Sequence, residues 1–158
     1  MKKIVMLVCC LAIASFILAN QVPAFSIENT RGRMIKSEDI LKEGPLFLDF
    51  WATWCQPCLN SMPIWSEYSE KYPEMQFWAV SVDRPRDRKK AEQMIKSRRF
   101  KFNPGYDTSG DIAKLFGVTD VPRLFIISQE GEIVYEHRGY TAGDEVEVEE
   151  KIRQILGK

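Results

Sequence analysis

The sequence predicts an α/β fold in which a mixed central β-sheet is flanked by helices on both faces. The segment from Leu46 to Trp51 is apolar apart from Asp49, which is typical of a central strand covered on both sides. Strand-like and helix-like patterns alternate up to about residue 117, and a hairpin pattern at residues 124–136 precedes a final helix. Strand–helix–strand units followed by a hairpin and a helix predict a sheet with both parallel and antiparallel neighbours.

Hydrophobic periodicity assigns the individual elements in order. Strands are predicted at residues 34–35, 45–51, 75–82, 124–127 and 132–136, and helices at residues 37–41, 56–72, 87–99, 112–116 and around 148–156. Pro63 lies inside the second helix and is expected to kink it, because proline lacks an N–H and crowds the preceding turn. Gly117 is expected to end the short fourth helix as its C′ residue.

The N-terminus carries a targeting pattern. Two lysines precede the apolar residues 4–19, and small residues around Ala24 supply cleavage sites, so residues 1–26 are predicted to be a signal peptide. The alternative is a retained N-terminal membrane anchor, although the run is short for a span of about 20 residues. Residues 27–158 are predicted to form a single domain that is periplasmic or otherwise extracytoplasmic. It would contact the membrane only if the N-terminal segment is retained.

Composition limits the possible functions. The chain has 158 residues, 45% of them hydrophobic, which suits the core of one ordinary domain. The formal net charge is zero, so no overall charge favours nucleic acid as a partner. Of the four cysteines, Cys9 and Cys10 lie in the apolar N-terminal run and are interpreted as small apolar residues. Cys55 and Cys58 remain as the candidates for chemistry.

Cys55 and Cys58 stand where a predicted strand turns into a predicted helix. Unpaired N–H groups and the helix dipole favour a thiolate there, so Cys55 is the expected nucleophile and Cys58 the resolving cysteine. A zinc site would need four ligands, and the other cysteines and His137 are distant in sequence. A structural disulfide over so short a loop would remove little entropy from the unfolded chain. The spacing therefore favours a redox pair.

Residues 49–58, Asp-Phe-Trp-Ala-Thr-Trp-Cys-Gln-Pro-Cys, resemble the active-site segment of the thioredoxin superfamily. Residues 81–83, 111–118, 121–127 and 131–134 are similar to its TlpA/ResA-like extracytoplasmic branch. The resemblance implies a thioredoxin-like fold with an insertion of the AhpC/TSA–Redoxin type between residues 75 and 117. It also implies a Cys55–Cys58 redox disulfide that needs no metal or other cofactor, and a cis peptide bond before Pro122, beside that disulfide.

The resemblance extends to further site residues. Asp49 matches the buried aspartate of the thioredoxins, a candidate general base for the thiol of Cys58, although many TlpA/ResA-like proteins differ here; the alternative is an aspartate turned outward. Arg123 stands where many relatives have threonine; it is a surface cation, a source of positive potential near Cys55, or a selector of substrate. The substrate-binding set implied by the family is Trp54, Gln56, Pro57, Val121 and Arg123.

The direction of electron transfer is inferred from the residues between the cysteines. Pro57 resembles the reducing thioredoxins, whereas oxidising relatives carry histidine there. The implied function is a reductase of disulfides in partner proteins, as in cytochrome c maturation or copper-site assembly, recharged by a membrane thiol–disulfide electron donor. A monomer is expected. The alternatives are a disulfide oxidase or isomerase of the same fold, and a redox-inert binding or copper-carrying module. The Pro-x-x-x-Thr-x-x-Cys pattern of peroxiredoxins fails at Leu48 and Ala52.

Overall fold

The strand Leu46–Trp51 lies at the centre of the sheet, and all six of its residues are buried. The computed structural model describes residues 21–158. The strands are β1 (Ser26–Asn29), β2 (Met34–Lys36), β3 (Leu46–Trp51), β4 (Gln76–Ser81), β5 (Asn103–Tyr106), β6 (Arg123–Ile127) and β7 (Ile133–Arg138). The helices are α1 (Ser37–Lys42), α2 (Gln56–Lys71), α3 (Arg88–Arg98), α4 (Asp111–Leu115) and α5 (Asp144–Ile155), and a short 3₁₀ helix, Pro85–Asp87, precedes α3.

The seven strands form one mixed sheet in the order β2-β1-β5-β4-β3-β6-β7. Strands β3, β4 and β5 are parallel, whereas β6 and β7 on one side and β1 and β2 on the other are joined by antiparallel pairing. Because the carboxyl ends of β3, β4 and β5 meet at one edge, the turns that follow these three strands are neighbours in space. The predicted mixed sheet is confirmed.

Helices cover both faces of the sheet, as predicted. Side chains alternate along β3, so Leu46, Leu48 and Phe50 join one hydrophobic cluster, which includes residues of α1 and α4. Phe47 and Trp51 point the other way, into a second cluster built with residues of α2, α3 and α5. The two cysteines belong to this second cluster. Alternation therefore assigns each residue of β3 to one face, and the face of Trp51 is the one that carries the chemistry.

Two strands, β1 and β5, are absent from the sequence prediction. The sequence of β5, Asn-Pro-Gly-Tyr, contains three residue types that are depleted in strands, namely asparagine, proline and glycine. Proline is tolerated because β1 pairs only with Gly105 and Tyr106, so Pro104 lies beyond the end of that ladder. Glycine is required because a Cβ at Gly105 would lie 2.4 Å from Cγ2 of Ile27 and 3.0 Å from Cγ2 of Val80. Tertiary crowding, not propensity, makes this segment a strand.

The other elements agree with the prediction to within a few residues. The hairpin of β6 and β7 is antiparallel, and α4 ends before Gly117, which has a φ of +63° and donates its N–H to the carbonyl of Lys114. Helix α2 continues through Pro63 as one element, and its buried face includes Met62 and Trp65. The predicted kink at Pro63 stays a prediction.

Residues preceding the predicted domain boundary pack against the domain. The N–H of Val22 donates to the carbonyl of Gly131 at 2.9 Å, and Phe25 is buried with its ring edge-to-face against Phe116 at 5.2 Å. The apolar run at residues 4–19, on which the signal or anchor prediction rests, lies outside the described residues. None of the helices in residues 21–158 has the length and apolar character needed to span a membrane.

We predict that Gly105→Ala lowers the free energy of unfolding by about 1–3 kcal/mol, because the new methyl group overlaps the side chain of Ile27 at the β1–β5 contact. Urea unfolding of the oxidised protein measures the change.

A double-mutant cycle with Ile27→Ala tests the cause. Removal of the Ile27 side chain costs about 2–5 kcal/mol by itself but makes room for the added methyl group, so the combined loss should be smaller than the sum of the two single losses. Additive losses would show that the strain lies elsewhere.

Candidate active site

The cysteine pair lies at the junction of β3 and α2, at the sheet edge where three parallel strands end. The N–H of Cys55 donates to the carbonyl of Ala52 at 3.1 Å, which closes a tight turn directly after the strand. Cys55 is the N-cap residue of α2, and its Sγ accepts the N–H of Cys58 at 3.2 Å. Pro57 lies in the first turn of the helix, where its missing N–H leaves no intrahelical bond unmade.

Cys55 and Cys58 form a disulfide, with their Cα atoms 5.3 Å apart. Cys58 is completely buried, and Cys55 retains 4% of its surface. An incoming thiol therefore meets Cys55 first, whereas Cys58 is screened by the helix and by cluster residues that include Trp51. Different access to two sulfurs one helical turn apart is the arrangement needed for an attacking and a resolving cysteine.

The surface around Cys55 is partly aromatic and uncharged. Trp54 exposes 70% of its surface, although it lies between two buried residues of the turn. Gln56 and Pro57 are also exposed, and the Gln56 side chain donates to Oδ1 of Asn60 at 3.0 Å. Trp51, the residue directly before the turn, is completely buried. The side chains of Trp54, Gln56 and Pro57 are therefore accessible from solvent.

The peptide bond between Val121 and Pro122 is cis, as the resemblance implied. Strand β6 begins at the next residue, Arg123, which is paired with Phe50 near the end of β3. Pro122 therefore lies at the same sheet edge as the turn that leads to Cys55. Val121 is half-buried and packs against both hydrophobic clusters.

Asp49 is buried, and within residues 21–158 its carboxylate has no hydrogen-bond partner. Only 2% of its surface is exposed, and neither carboxylate oxygen accepts a hydrogen bond from any of the described residues. Because Asp49 alternates with Phe50 along β3, its side chain points to the face that carries Cys55 and Cys58. Burial raises the pKa of the Asp49 carboxyl group well above its ordinary value of 3.8. The alternative of an outward-facing aspartate is excluded.

Arg123 is neither a free surface cation nor part of the cysteine face. Its guanidinium group pairs with Glu136 and lies 4.0 Å from Asp120, and only 16% of its side chain is exposed. Its strand partner Phe50 belongs to the cluster on the opposite face from Cys58. Two acidic neighbours offset its charge, which weighs against a net positive potential at Cys55 from this residue.

A buried carboxylate that no sequence argument singled out lies directly behind the cysteine turn. Asp83 is 3% exposed and accepts hydrogen bonds from both the N–H and the hydroxyl group of Thr53, each at 2.9 Å. The segment Ser81-Val82-Asp83 formed part of the family resemblance but had no assigned role. The available signal was a short polar residue at the end of a buried strand, at the edge where the cysteines were expected.

The chain's one histidine is engaged elsewhere. His137 on β7 lies within hydrogen-bonding distance of the Tyr135 hydroxyl group and of Oδ2 of Asp144, at 3.2 and 3.1 Å. Within residues 21–158 there is no group of three or more histidine, cysteine, aspartate or glutamate side chains arranged to hold a metal ion.

A disulfide at a helix N-terminus, at the same edge of a mixed sheet as a cis-proline, defines a thiol–disulfide oxidoreductase of thioredoxin-like fold. Comparison with known proteins assigns the chain within that class. It belongs to the AhpC/TSA family, whose sequence profile matches residues 18–136, and among such proteins it is TlpA/ResA-like.

Named relatives agree with this class. A thiol-disulfide oxidoreductase ResA from Bacillus thuringiensis subsp. konkukian is 29% identical over 130 residues, which cover 82% of this chain and 75% of the relative. The sporulation thiol-disulfide oxidoreductase A of Bacillus subtilis is 27% identical over 118 residues, covering 71% and 69%. A crystal structure described as a thiol:disulfide interchange protein DsbE from Chlorobium tepidum superposes with a TM-score of 0.79 at 28% identity, covering 87% and 96%.

We predict that the buried Asp49 carboxyl group makes the folded protein less stable as the pH rises. The folded pKa lies above the unfolded one, so Asp49 favours the fold most below its ordinary value of 3.8, and this contribution is lost as the pH rises to the folded pKa. Asp49→Asn should remove this loss. Urea unfolding of the oxidised proteins between about pH 4 and 9 gives the difference in stability between variant and wild type, which should change in favour of the variant as the pH rises.

Asp39→Asn is the matched control. Asp39 is exposed and its neighbour Lys42 lowers its pKa, so this substitution should not reproduce the effect. Parallel pH profiles for wild type and Asp49→Asn would contradict a raised pKa at Asp49.

Proposed function

We propose that the protein is an extracytoplasmic reductase of disulfides in partner proteins. The observation that carries this proposal is the Cys55–Cys58 disulfide at the N-terminus of α2, with Cys58 fully buried and Cys55 at the surface side.

The proposed direction of electron transfer follows from how the Cys55 thiolate is stabilised. A strong oxidant needs a reduced form in which the thiolate is highly stabilised. The support visible for the Cys55 thiolate is the helix N-terminus and the N–H of Cys58, while the chain's one histidine is held by Tyr135 of β7 and Asp144 of α5. Without a neighbouring imidazolium group the thiolate gains less, so the disulfide is harder to reduce and the dithiol is the better reductant.

In the proposed reaction, the Cys55 thiolate attacks one sulfur of a partner disulfide, and a mixed disulfide forms while the other partner sulfur leaves as a thiolate. Cys58 then attacks Cys55, which releases the second partner sulfur and leaves the Cys55–Cys58 disulfide. The two electrons of the dithiol have passed to the partner. We assign Asp49 the role of accepting the proton of Cys58, because its side chain points to the face of the sheet that carries the cysteines and burial raises the pKa of its carboxyl group.

Partner binding is assigned to the surface around Cys55. Trp54 offers an exposed aromatic face, Gln56 and Pro57 flank it, and Val121 next to the cis-proline offers main-chain groups for an extended partner segment. Arg123, in contrast, pairs with Glu136 on the face of the sheet opposite the cysteines, so we assign it no direct contact with the partner. The cycle needs no cofactor beyond the disulfide.

The location and the electron donor follow from the N-terminus. Two lysines followed by the apolar residues 4–19 support export as a signal peptide or retention as an anchor, so the domain would act outside the cytoplasm. There a membrane thiol–disulfide donor would restore the dithiol after each cycle. We propose that the protein acts as a monomer on disulfides such as those met in cytochrome c maturation or copper-site assembly.

The reduction potential of the Cys55–Cys58 pair tests the direction. We expect a value near that of thioredoxin, about −270 mV, or lower, since little stabilises the reduced thiolate. Equilibration of the purified protein with glutathione or dithiothreitol buffers measures it. A value near about −120 mV would instead identify a disulfide oxidase and overturn the proposed direction.

Serine substitutions separate the roles of the two cysteines. Cys58→Ser should accumulate a mixed disulfide between Cys55 and a disulfide-bearing substrate protein, because the resolving thiol is missing. Non-reducing electrophoresis detects this adduct. Cys55→Ser is the control and should form none, since the remaining thiol at position 58 is buried. Equal trapping by both variants would contradict the assigned order.

A further inference from the structure

We propose that Asp83 is a positioning residue for the thiol–disulfide reaction, acting through Thr53 on the turn that carries Cys55. The inference rests on the proposed redox function and adds to it a residue that lies in a different strand connection. Asp83 lies just after β4, and Thr53 lies just after β3, so the contact links the ends of two neighbouring parallel strands.

The contacts of the Asp83 carboxylate are distributed asymmetrically. Its Oδ1 accepts the hydroxyl group of Thr53 at 2.9 Å, and its Oδ2 accepts the N–H of Thr53 at 2.9 Å and the hydroxyl group of Ser81 at 2.8 Å. Two of the three donors therefore belong to one residue of the cysteine turn. Because the carboxylate accepts hydrogen bonds from both the main chain and the side chain of Thr53, it fixes the position and the orientation of that residue.

Burial gives this contact its importance. Asp83 and Thr53 are 3% and 6% exposed, and within residues 21–158 Asp83 takes part in no ion pair. A buried carboxylate without a cation depends on hydrogen bonds to offset its lost hydration. Any movement of Thr53 away from Asp83 would leave carboxylate oxygens unpaired, so the turn is held in one arrangement.

The two sides of the contact differ in how firmly they are anchored. On the Asp83 side, the N–H of Val82 donates to the carbonyl of Trp51 at 2.9 Å, and the carbonyl of Ser81 accepts the N–H of Asp107 at 2.9 Å. Asp83 is therefore anchored by the hydrogen bonds of the sheet. Thr53 lies within the Ala52–Cys55 turn, two residues before the nucleophile, so its contact with Asp83 holds the turn, and with it Cys55, in a fixed position relative to the sheet.

The consequence for chemistry concerns the N-cap geometry of Cys55. Its sulfur accepts the N–H of Cys58, and this contact favours a thiolate only while the turn places Cys55 at the helix N-terminus. Loosening Thr53 should therefore raise the pKa of the Cys55 thiol and slow its reaction with a disulfide at neutral pH. Small displacements of a reacting group are known to have large kinetic effects.

Two single substitutions, each at a hydroxyl group that donates to the Asp83 carboxylate, test the role of the Thr53 contact. Thr53→Val and Ser81→Ala each remove one hydroxyl donor from the same carboxylate, and Ser81→Ala also removes the acceptor of the Asp83 N–H, but only Thr53→Val acts on the turn. We expect Thr53→Val to slow the reaction of the reduced protein with hydroxyethyl disulfide, a small neutral probe, by roughly three- to tenfold at pH 7. Iodoacetamide alkylation as a function of pH should show a raised pKa for the Cys55 thiol. Ser81→Ala should leave both quantities at their wild-type values.

The conservative variant and a stability measurement complete the test. Thr53→Ser keeps the hydroxyl group and should restore the wild-type rate and thiol pKa, whereas a side chain needed only for packing would not be rescued in this way. Urea unfolding of all three variants shows whether the changes in reaction rate and in thiol pKa simply follow the changes in stability.

Equal behaviour of Thr53→Val and Ser81→Ala, in rate and in thiol pKa, would overturn the proposal. Failure of the redox function is distinguishable, because then the wild-type dithiol itself would not react with the probe. The alkylation pKa reports on the Thr53–Asp83 contact in either case, since it needs no disulfide substrate.

Discussion

Burial of β3 on both faces is the constraint on which the rest of the structure depends. Helices cover both sides of this strand, so its main chain must be paired on both edges, with β4 on one side and β6 on the other. The strand can end only at the sheet edge, where the chain turns sharply and enters α2. Cys55 thus becomes the N-cap of a helix that is itself packed on the core, and the reactive sulfur lies at the junction of two packed elements.

Two buried aspartates near the cysteine turn show how different environments give the same residue type different roles. Asp49 lies within β3 and accepts no hydrogen bond from the described residues, and burial raises its pKa. Asp83 lies at the end of the adjacent strand and accepts three hydrogen bonds, two of them from Thr53. The first environment suits a group that exchanges a proton, and the second suits a fixed acceptor that holds main chain in place.

Family membership and the residues of the site together favour thiol–disulfide exchange over the peroxidase chemistry of peroxiredoxins. The AhpC/TSA profile covers most of the chain, but the peroxiredoxin residues are missing at Leu48, which is a core residue of β3, and at Ala52, which is buried in the turn. A second cysteine one helical turn after the first provides instead an internal route to a disulfide. The same fold therefore carries thiol exchange, because the residues around the first cysteine, rather than the sheet, decide the reaction.

The sequence by itself determined the strand–turn–helix that carries Cys55 and Cys58, the hairpin of β6 and β7, the burial of Asp49 and the place of Pro122. These features depend on local periodicity or on short motifs whose residues are neighbours along the chain. Only the tertiary structure decided that Asn103–Tyr106 is a strand, that Glu136 offsets the charge of Arg123, and that Asp83 holds Thr53. Each of these depends on groups brought together by the sheet from distant parts of the chain: β1 packs against Gly105, β7 supplies Glu136, and thirty residues separate Thr53 from Asp83. Local propensity carries no information about such pairings, because their free energy arises from packing and desolvation after the strands have assembled.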